Sequence, residues 1–486
     1  MHYVERPRSA DVGAVTTARP GTHLVLGPIG APQSRAPALD LASCAPIMPS
    51  RSPDSPEFAG DAAEFLRALG SGMGLLWIRA LHDGGMLREA EQSVLERWKL
   101  EMEPTPPALS IMRFINTLVS LVLPLAVVAK IPVISNQSIY DPPANYLDPQ
   151  VLYSRPVELS DGTLLATWEN YSPEPPLVYF PIFKSTDGGK KWKHISNVTD
   201  QVNGWGLRYQ PFLYQLPQKF GKYPKGTILL SGSSIPTDLS QTLIEVYASR
   251  DKGYTWEFVS HVALGGEALP NHGLTPVWEP FLMTYKEKLV LYYSDQRDNA
   301  THSQKMVHQT TTDLKKWSKV VDDVAYADYY ARPGMPTVAK LPNGAYIYAY
   351  EYGGEPSEAS YSFPVYYRIS KNPLKFSEAE HHRVSPINGD TPYGSPYVVW
   401  SKYGGKNGTI VLNGASNSEI YTNQYLGHPA YWKKWSTPQP NAYTRALLVY
   451  KEDPDSVMIM GGGYLPPGKT NEISFSNIKL SQIMKE

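Results

Sequence analysis

The sequence contains a single cysteine, Cys44, among its 486 residues. One cysteine cannot form a disulfide within the chain, and it cannot supply the thiolate set of a structural zinc site. A folded domain must therefore be stabilised by its apolar core, and we expect neither a metal nor another cofactor.

The sequence also lacks an excess of charge of one sign. Its 45 lysine and arginine residues face 46 aspartate and glutamate residues, which gives a formal net charge of -1. This balance offers no electrostatic reason for a nucleic acid or an anionic membrane as partner. We expect a ligand that is neutral or carries little charge.

The apolar run from Phe114 to Ala129 is shorter than the roughly 20 residues that span a bilayer, and it contains Asn116 and Pro124. Met112 and a basic residue precede it, and it ends on small residues, as a signal peptide does. We predict a signal peptide at 112–129, no stable membrane anchor, and a secreted, extracellular chain from residue 130. A buried or anchoring helix is the alternative for this run. Because a signal peptide works only at an N-terminus, we interpret residues 1–111 as an upstream extension, a gene-model artefact. We expect this extension to be non-homologous to the propeller and disordered or partly helical.

Five Asn-x-Ser/Thr sequons follow this run and none precedes it, as expected of a secreted glycoprotein. They predict glycosylation at Asn136, Asn170, Asn197, Asn299 and Asn407.

After residue 133 the chain repeats a unit of two apolar strands joined by a polar or glycine-bearing turn. The six turns fall near Asp161, Lys225, Glu287, Asn343, Asn407 and Asp455. Six units of about 60 residues predict an all-β fold, a six-bladed β-propeller of four-stranded antiparallel blades over residues 130–486. The unpaired stretch "IPVISNQSIY" is expected to complete the last blade and close the ring.

A second motif, S-x-D-x-G-x-x-W, occurs at 185–192 and 249–256, with weaker copies ending at Trp317 and Phe376. It resembles the Asp-box, or BNR repeat, of sialidase-like propellers. Its aspartate suits the cap of a tight turn and its glycine supplies positive φ. We therefore predict structural roles for Asp187 and Asp251.

Propeller geometry brings the starts of the first strands and the ends of the second strands to one face of the disc. Aromatic and polar residues at these positions suit the faces and hydroxyl groups of a sugar. The predicted substrate-binding residues are Arg208, Tyr209, Gln210, His272, Trp278, Arg297, Arg332, Tyr352, Tyr393 and Ser395.

Glu279 and Glu351 are lone acids in apolar or aromatic surroundings on adjacent predicted blades. Loss of hydration favours the neutral form of a carboxyl group and raises its pKa, as a general acid requires. Two carboxyl groups across an aromatic-lined cleft are the apparatus of glycoside hydrolysis. These two residues are the predicted catalytic pair.

The stretch from Asn136 to Lys479, including "IYDPPANYLDPQVLYSRPVELSDGTLLATWENYSP", resembles the fungal exo-arabinanases of glycoside hydrolase family 93. The resemblance implies a retaining, metal-free hydrolase that releases arabinobiose from non-reducing ends of α-1,5-L-arabinan. Plant cell-wall arabinan or arabino-oligosaccharides are then the expected partners of a monomeric enzyme. The family's glutamate pair carries over onto Glu279, assigned as nucleophile, and Glu351, assigned as acid/base, with an assisting tyrosine at Tyr443.

Three alternatives remain at this point. A sialidase could clamp its carboxylated sugar with Arg208, Arg332 and Arg445, although "YDPP" stands where Arg-Ile-Pro is expected. A lectin would repeat the same rim residues in every blade, whereas these rims differ. A five-bladed endo-arabinanase is disfavoured by the six units.

Overall fold

Twenty-four β-strands form almost all of the regular structure in residues 131–465 and 471–485, the part of the chain that a computed structural model describes. The predicted signal peptide at 112–129 and the extension at 1–111 lie outside these residues. Within them, no helix combines the length and the apolar character needed to cross a bilayer.

The strands form six four-stranded antiparallel sheets, which confirms the predicted propeller. Blade I contains β2 (Val151–Glu158), β3 (Leu164–Asn170), β4 (Phe180–Ser185) and β5 (Lys193–Val198). Blade II contains β6 (Leu207–Gln215), β7 (Ile228–Ser234), β8 (Thr242–Ser249) and β9 (Glu257–Gly265). Blade III contains β10 (Val277–Tyr285), β11 (Lys288–Asp295), β12 (Lys305–Thr311) and β13 (Val321–Val324).

Blade IV contains β14 (Arg332–Lys340), β15 (Tyr346–Gly353), β16 (Val365–Ser370) and β17 (His381–Arg383). Blade V contains β18 (Tyr397–Ser401), β19 (Thr409–Asn413), β20 (Ile420–Asn423) and β21 (Lys433–Trp435). Blade VI contains β22 (Arg445–Val449), β23 (Ser456–Gly462), β24 (Ile473–Lys479) and the N-terminal β1 (Ile134–Tyr140). Short helices at Phe376–Glu378, Pro429–Tyr431 and Leu480–Ile483 complete the described elements.

Blade VI is built from both ends of the propeller. Its strand order is β1-β24-β23-β22, and β1 pairs antiparallel with β24 through Ile134 opposite Asn477 and Gln137 opposite Phe475. The N-terminal strand therefore closes the ring, as predicted, and covers an edge that would otherwise present unpaired backbone groups.

The Asp-box aspartates cap the turns between the third and fourth strands of blades I and II. Backbone N–H of Lys191 donates to Asp187 (3.0 Å), and those of Tyr254 and Thr255 donate to Asp251 (3.1 and 2.9 Å). Gly253 has a φ of +93°, the left-handed region that glycine favours. These contacts give both aspartates the predicted structural role.

The first strand of each blade is the innermost, and first strands of neighbouring blades contact one another around the ring. In β2, β6, β10 and β14 a register shift interrupts pairing with the second strand. Four residues at these register shifts have positive φ, namely Tyr153, Gln210, Glu279 and Met335. Ser395, just before β18, also has positive φ. Because a β-bulge inserts one residue, it redirects the following side chains, and here it lies at the mouth of the propeller.

Candidate active site

A cavity of about 400 Å³ lies at this mouth. Eight of the predicted site residues line it: Tyr209, Gln210, Trp278, Glu279, Arg332, Glu351, Ser395 and Tyr443. Other lining residues include Asp148, Leu152, Glu169, Tyr171, Gln304, Met335 and Phe363. The cavity combines four carboxyl groups, those of Asp148, Glu169, Glu279 and Glu351, with aromatic and amide side chains, which suits a polar but neutral ligand.

Glu279 stands on the bulge of β10, with a φ of 61° and only 8% of its surface exposed. Its Oε2 accepts hydrogen bonds from Ser294 Oγ and from the backbone N–H of Met335, both at 2.7 Å. Burial raises the pKa of the Glu279 carboxyl, while these two donors and Arg332 oppose the rise. Two donors fixed on one oxygen stabilise the carboxylate form and hold its orientation.

Glu351 lies near the end of β15, the second strand of blade IV, and is partly exposed to the cavity. Its Oε2 accepts a 2.6 Å hydrogen bond from the backbone N–H of Ser395. Burial, followed by the negative charge of Glu279, raises the pKa of Glu351 to about 8. This carboxyl group is therefore protonated at neutral pH and can donate a proton.

The two carboxyl groups approach the same point on β14. A β-carbon placed on Gly334 would lie 3.4 Å from Glu279 Oε2 and 3.6 Å from Glu351 Oε1. These oxygens are therefore no more than 7.0 Å apart. The missing side chain at Gly334 leaves the space between the two acids open to a ligand.

Side chains of one blade hold the bulges of the next. Glu169 Oε1 accepts the N–H of Gln210 (2.9 Å), Gln210 Oε1 accepts the N–H of Glu279 (3.3 Å), and Glu279 Oε2 accepts the N–H of Met335. Each bulge frees an N–H from the ladder, and the preceding blade supplies its acceptor. The position of Glu279 is thus coupled to blades II and IV.

Glu169 is a further carboxyl group in the cavity, and it is not among the predicted site residues. It is 2% exposed, and its Oε2 accepts a 2.7 Å hydrogen bond from Tyr171 Oη. Burial raises the pKa of Glu169 to about 7, although hydrogen bonds from Tyr171 and Gln210 and the charge of Arg155 oppose this. Its position at the end of a second strand, equivalent to that of Glu351, is the signal that could have selected it.

Tyr443 lies against the same carboxyl groups. Burial and the charges of Glu279, Glu351 and Glu169 raise the pKa of Tyr443 well above its usual value. The phenol therefore stays protonated and presents a neutral O–H to the cavity.

Arg332 is the one predicted rim arginine that lines this cavity. Its guanidinium donates to Gln296 Oε1 (3.1 Å), to Gln304 Oε1 (3.0 Å) and to the Pro270 carbonyl. Gln296 Oε1 also accepts the indole N–H of Trp278 at 3.0 Å. This network fixes the aromatic wall beside Glu279.

Two other arginines are engaged in the protein itself. Arg208 forms a 3.0 Å ion pair with Glu174, and Arg297 forms one of 2.6 Å with Asp295. Neither lines the cavity, so the prediction of substrate contact is not supported for them: each is held by a nearby carboxylate. Arg445 is fully buried and donates to carbonyl groups of residues 417–419. The three arginines that a sialidase would use do not converge.

Tyr352 also lies outside the cavity, contrary to the prediction. Successive side chains of a strand point to opposite faces, so Tyr350 and Tyr352 point away from Glu351. Tyr352 instead stacks on Tyr326 with ring centroids 4.0 Å apart. These rings therefore do not enclose the carboxyl group.

His272 and Tyr393 occupy other surroundings. His272 is exposed, contacts Ser303 Oγ and lies edge-on to Tyr330, with ring centroids 5.3 Å apart. Tyr393 lines a neighbouring cavity, to which Phe363 also contributes.

The predicted glycosylation sites differ in accessibility. Asn136 and Asn197 are exposed, and Asn299 and Asn407 are half-buried. Asn170 is 3% exposed at the end of β3, which argues against glycan attachment there because a glycan requires an accessible amide.

No family model matches the sequence, and no curated protein matches it. Solved structures do. One is a GH93 α-L-arabinofuranosidase of Fusarium graminearum in complex with arabinobiose, 72% identical, with a TM-score of 0.72 and coverage of 73% of this chain and 99% of that one. Another is an α-L-arabinanase of Penicillium chrysogenum in complex with arabinobiose, 53% identical, with a TM-score of 0.71 and coverage of 73% and 100%. The chain belongs to glycoside hydrolase family 93.

Proposed function

We propose that the chain is a secreted, retaining hydrolase that acts from the non-reducing ends of α-1,5-L-arabinan and releases arabinobiose. The observation that carries this proposal is the convergence of Glu279 and Glu351 on the open space at Gly334. Two carboxyl groups in this relation provide a nucleophile and an acid/base. Both relatives above are in complex with arabinobiose, which supports the choice of substrate.

The different environments of the two acids support their roles. Glu279 Oε2 receives two hydrogen bonds, which favour the ionised form that attacks the anomeric carbon. The raised pKa of Glu351, about 8, favours the protonated form that donates to the leaving oxygen as the glycosidic bond breaks. In the second step Glu351 accepts a proton from water, water attacks the anomeric carbon, and Glu279 is released.

The rest of the cavity suits an uncharged furanose. Trp278, Tyr209 and Tyr171 offer aromatic faces, and the phenol of Tyr443 can donate to a ring or hydroxyl oxygen near the acids. Arg332 is already held by Gln296 and Gln304, which supports a role in shaping the wall. A carboxylated sugar would lack its arginine clamp here.

Product analysis on linear, debranched arabinan tests the proposal. We expect arabinobiose as the single early product, with the α-anomer formed first in an NMR time course. Glu279→Gln and Glu351→Gln should each abolish release while thermal unfolding stays cooperative, because each removes one reacting carboxyl group. Near-normal rates in either variant would refute the assignment, mixed oligomers would refute exo action, and an initial β-anomer would refute retention.

Chemical rescue separates the two roles. With an activated aryl substrate, azide should restore turnover by Glu279→Ala and give a glycosyl azide of inverted anomeric configuration. Azide should also restore turnover by Glu351→Ala, but there the glycosyl azide should retain the configuration of the substrate. The reverse pattern would exchange the roles. Secretion is tested separately: N-terminal sequencing of protein from culture medium should give a start near Lys130, whereas peptides from 1–111 in that material would contradict the proposed signal peptide.

A further inference from the structure

A second cavity, of about 420 Å³, adjoins the one that contains the acids. Phe363, Tyr443 and Leu465 line both, so the two share a wall. A volume of this size falls within the roughly 300–1,000 Å³ of small-molecule sites. The second cavity is therefore large enough to hold part of a ligand that also occupies the first.

The second cavity begins on the side of Glu351. Gly394 lines it, and a β-carbon on Gly394 would lie 3.9 Å from Glu351 Oε2. The next residue, Ser395, donates its backbone N–H to that same oxygen. Glu279, in contrast, is held by Ser294 and Met335, and none of these three residues lines the second cavity.

The described lining of the second cavity is aromatic and uncharged. It includes Tyr361, Tyr393 and Tyr464 with Ser360, Ser416 and Asn441, and no lining residue is acidic or basic. The Tyr393 hydroxyl is fixed by Arg383 (2.9 Å) and Glu358 (3.2 Å), which form a 2.7 Å ion pair behind it. Such a wall, with rigid rings and neutral hydrogen-bonding groups, suits a sugar.

We propose that the second cavity binds the arabinan chain on the leaving-group side of the scissile bond. This inference rests on the proposed function. An acid/base must reach the oxygen of the leaving group, so the leaving chain must depart past Glu351. Substrates with several arabinose units beyond the scissile bond would therefore gain contacts that the shortest substrate cannot make.

The test uses the full-length protein and a ladder of α-1,5-arabino-oligosaccharides from triose to hexaose. For the wild type, kcat/KM should rise with length, because release of a disaccharide leaves one unit in the triose and four in the hexaose. Tyr361→Ala should lower kcat/KM for the hexaose about tenfold and that for the triose less than twofold, with arabinobiose still the product. Tyr254→Ala, at a half-exposed tyrosine in the Asp-box turn of blade II, is the matched control and should change neither value.

An equal loss of kcat/KM for every oligosaccharide, or no loss of kcat/KM for the hexaose, would overturn the proposal. If Tyr361→Ala fails to fold, Asn441→Ala provides the same comparison, because its amide is in the same wall and its side chain is exposed. Failure of the proposed function is distinguishable, since the wild type would then release no arabinobiose from any member of the ladder.

Discussion

Replacement of Glu351 by glutamine should stabilise the protein at alkaline pH while it removes activity. In the folded protein the pKa of Glu351 is raised from 4.5 to about 8, chiefly by burial and then by Glu279. Between these values the unfolded chain has lost the proton and the folded chain retains it. Stability that is fully present below pH 4.5 is therefore lost progressively as the pH rises through about 8.

The size of the effect follows from the pKa shift. One pKa unit corresponds to about 1.36 kcal/mol, so the full shift disfavours the ionised folded state by about 5 kcal/mol. Incomplete ionisation at pH 8 and water in the cavity reduce this to on the order of 2–4 kcal/mol. With an unfolding entropy of about 2.1 cal/mol/K per residue, a propeller of roughly 350 residues changes its Tm by about 1.4 °C per kcal/mol.

The assay is thermal unfolding of wild type and Glu351→Gln from pH 4 to pH 8. The variant should match the wild type at pH 4, where both side chains are uncharged, and exceed it by about 3–6 °C at pH 8. Glu287→Gln, in the exposed β10–β11 turn, serves as the control and should show no such trend. A Tm difference that is independent of pH, or a variant less stable at pH 8, would refute the electrostatic reasoning.

Other perturbations address the acids and the turns. Gly334→Ala should lower kcat at least 100-fold with Tm within a few degrees. The new methyl group would lie between the two acids and 2.8 Å from the Gln304 amide nitrogen, which would have to shift from its hydrogen bond to the Pro333 carbonyl. Activity near that of the wild type would exclude this placement. The kcat/KM of the wild type should fall as the pH rises through about 8, because Glu351 then loses its proton. A kcat/KM that stays constant up to pH 9 would argue against Glu351 as the acid. Asp251→Ala should lower the free energy of unfolding, measured with urea, by about 1–2 kcal/mol, because the turn loses its hydrogen bonds to Asp251. The kcat should not change, and a catalytic defect would contradict a purely structural role.

The fold was largely predictable because its signals are repeated. Each blade contributes the same strand-turn-strand pattern, and the unpaired N-terminal stretch has one natural position, beside the last blade. Glu279 and Glu351 could be placed at the mouth for the same reason, since strand starts and ends recur on one face. Burial of Glu279 and partial burial of Glu351 followed from that placement.

Which neighbouring side chains face the cavity was harder to predict. A one-residue bulge exchanges the two faces of a strand, and sequence alternation alone does not locate it. Met335 is not among the predicted site residues because its bulge turns it into the cavity. Tyr352 was included although alternation along β15 alone directs it away from Glu351. The sequence does contain a repeated signal for these positions. A proline, which has no N–H to donate to the β-ladder, follows each of Gln210, Glu279, Met335 and Ser395.

Arg208 was placed in the site for another reason. Its position at the start of β6 is equivalent to that of Arg332 at the start of β14, but whether a guanidinium reaches a ligand depends on the acceptors nearby. Glu174 lies in a loop 34 residues from Arg208, and no local pattern connects the two. Long-range pairing of this kind can be read only from the folded chain.

The closure of blade VI also determines when, during synthesis, the propeller can finish folding. During synthesis β1 emerges first, yet its partner β24 follows more than 300 residues later, since Ile134 pairs with Asn477. At roughly 5–20 residues per second this interval is about 15–70 s. The first strand must remain unpaired for that time, so the ring can close only after nearly the whole propeller has been made.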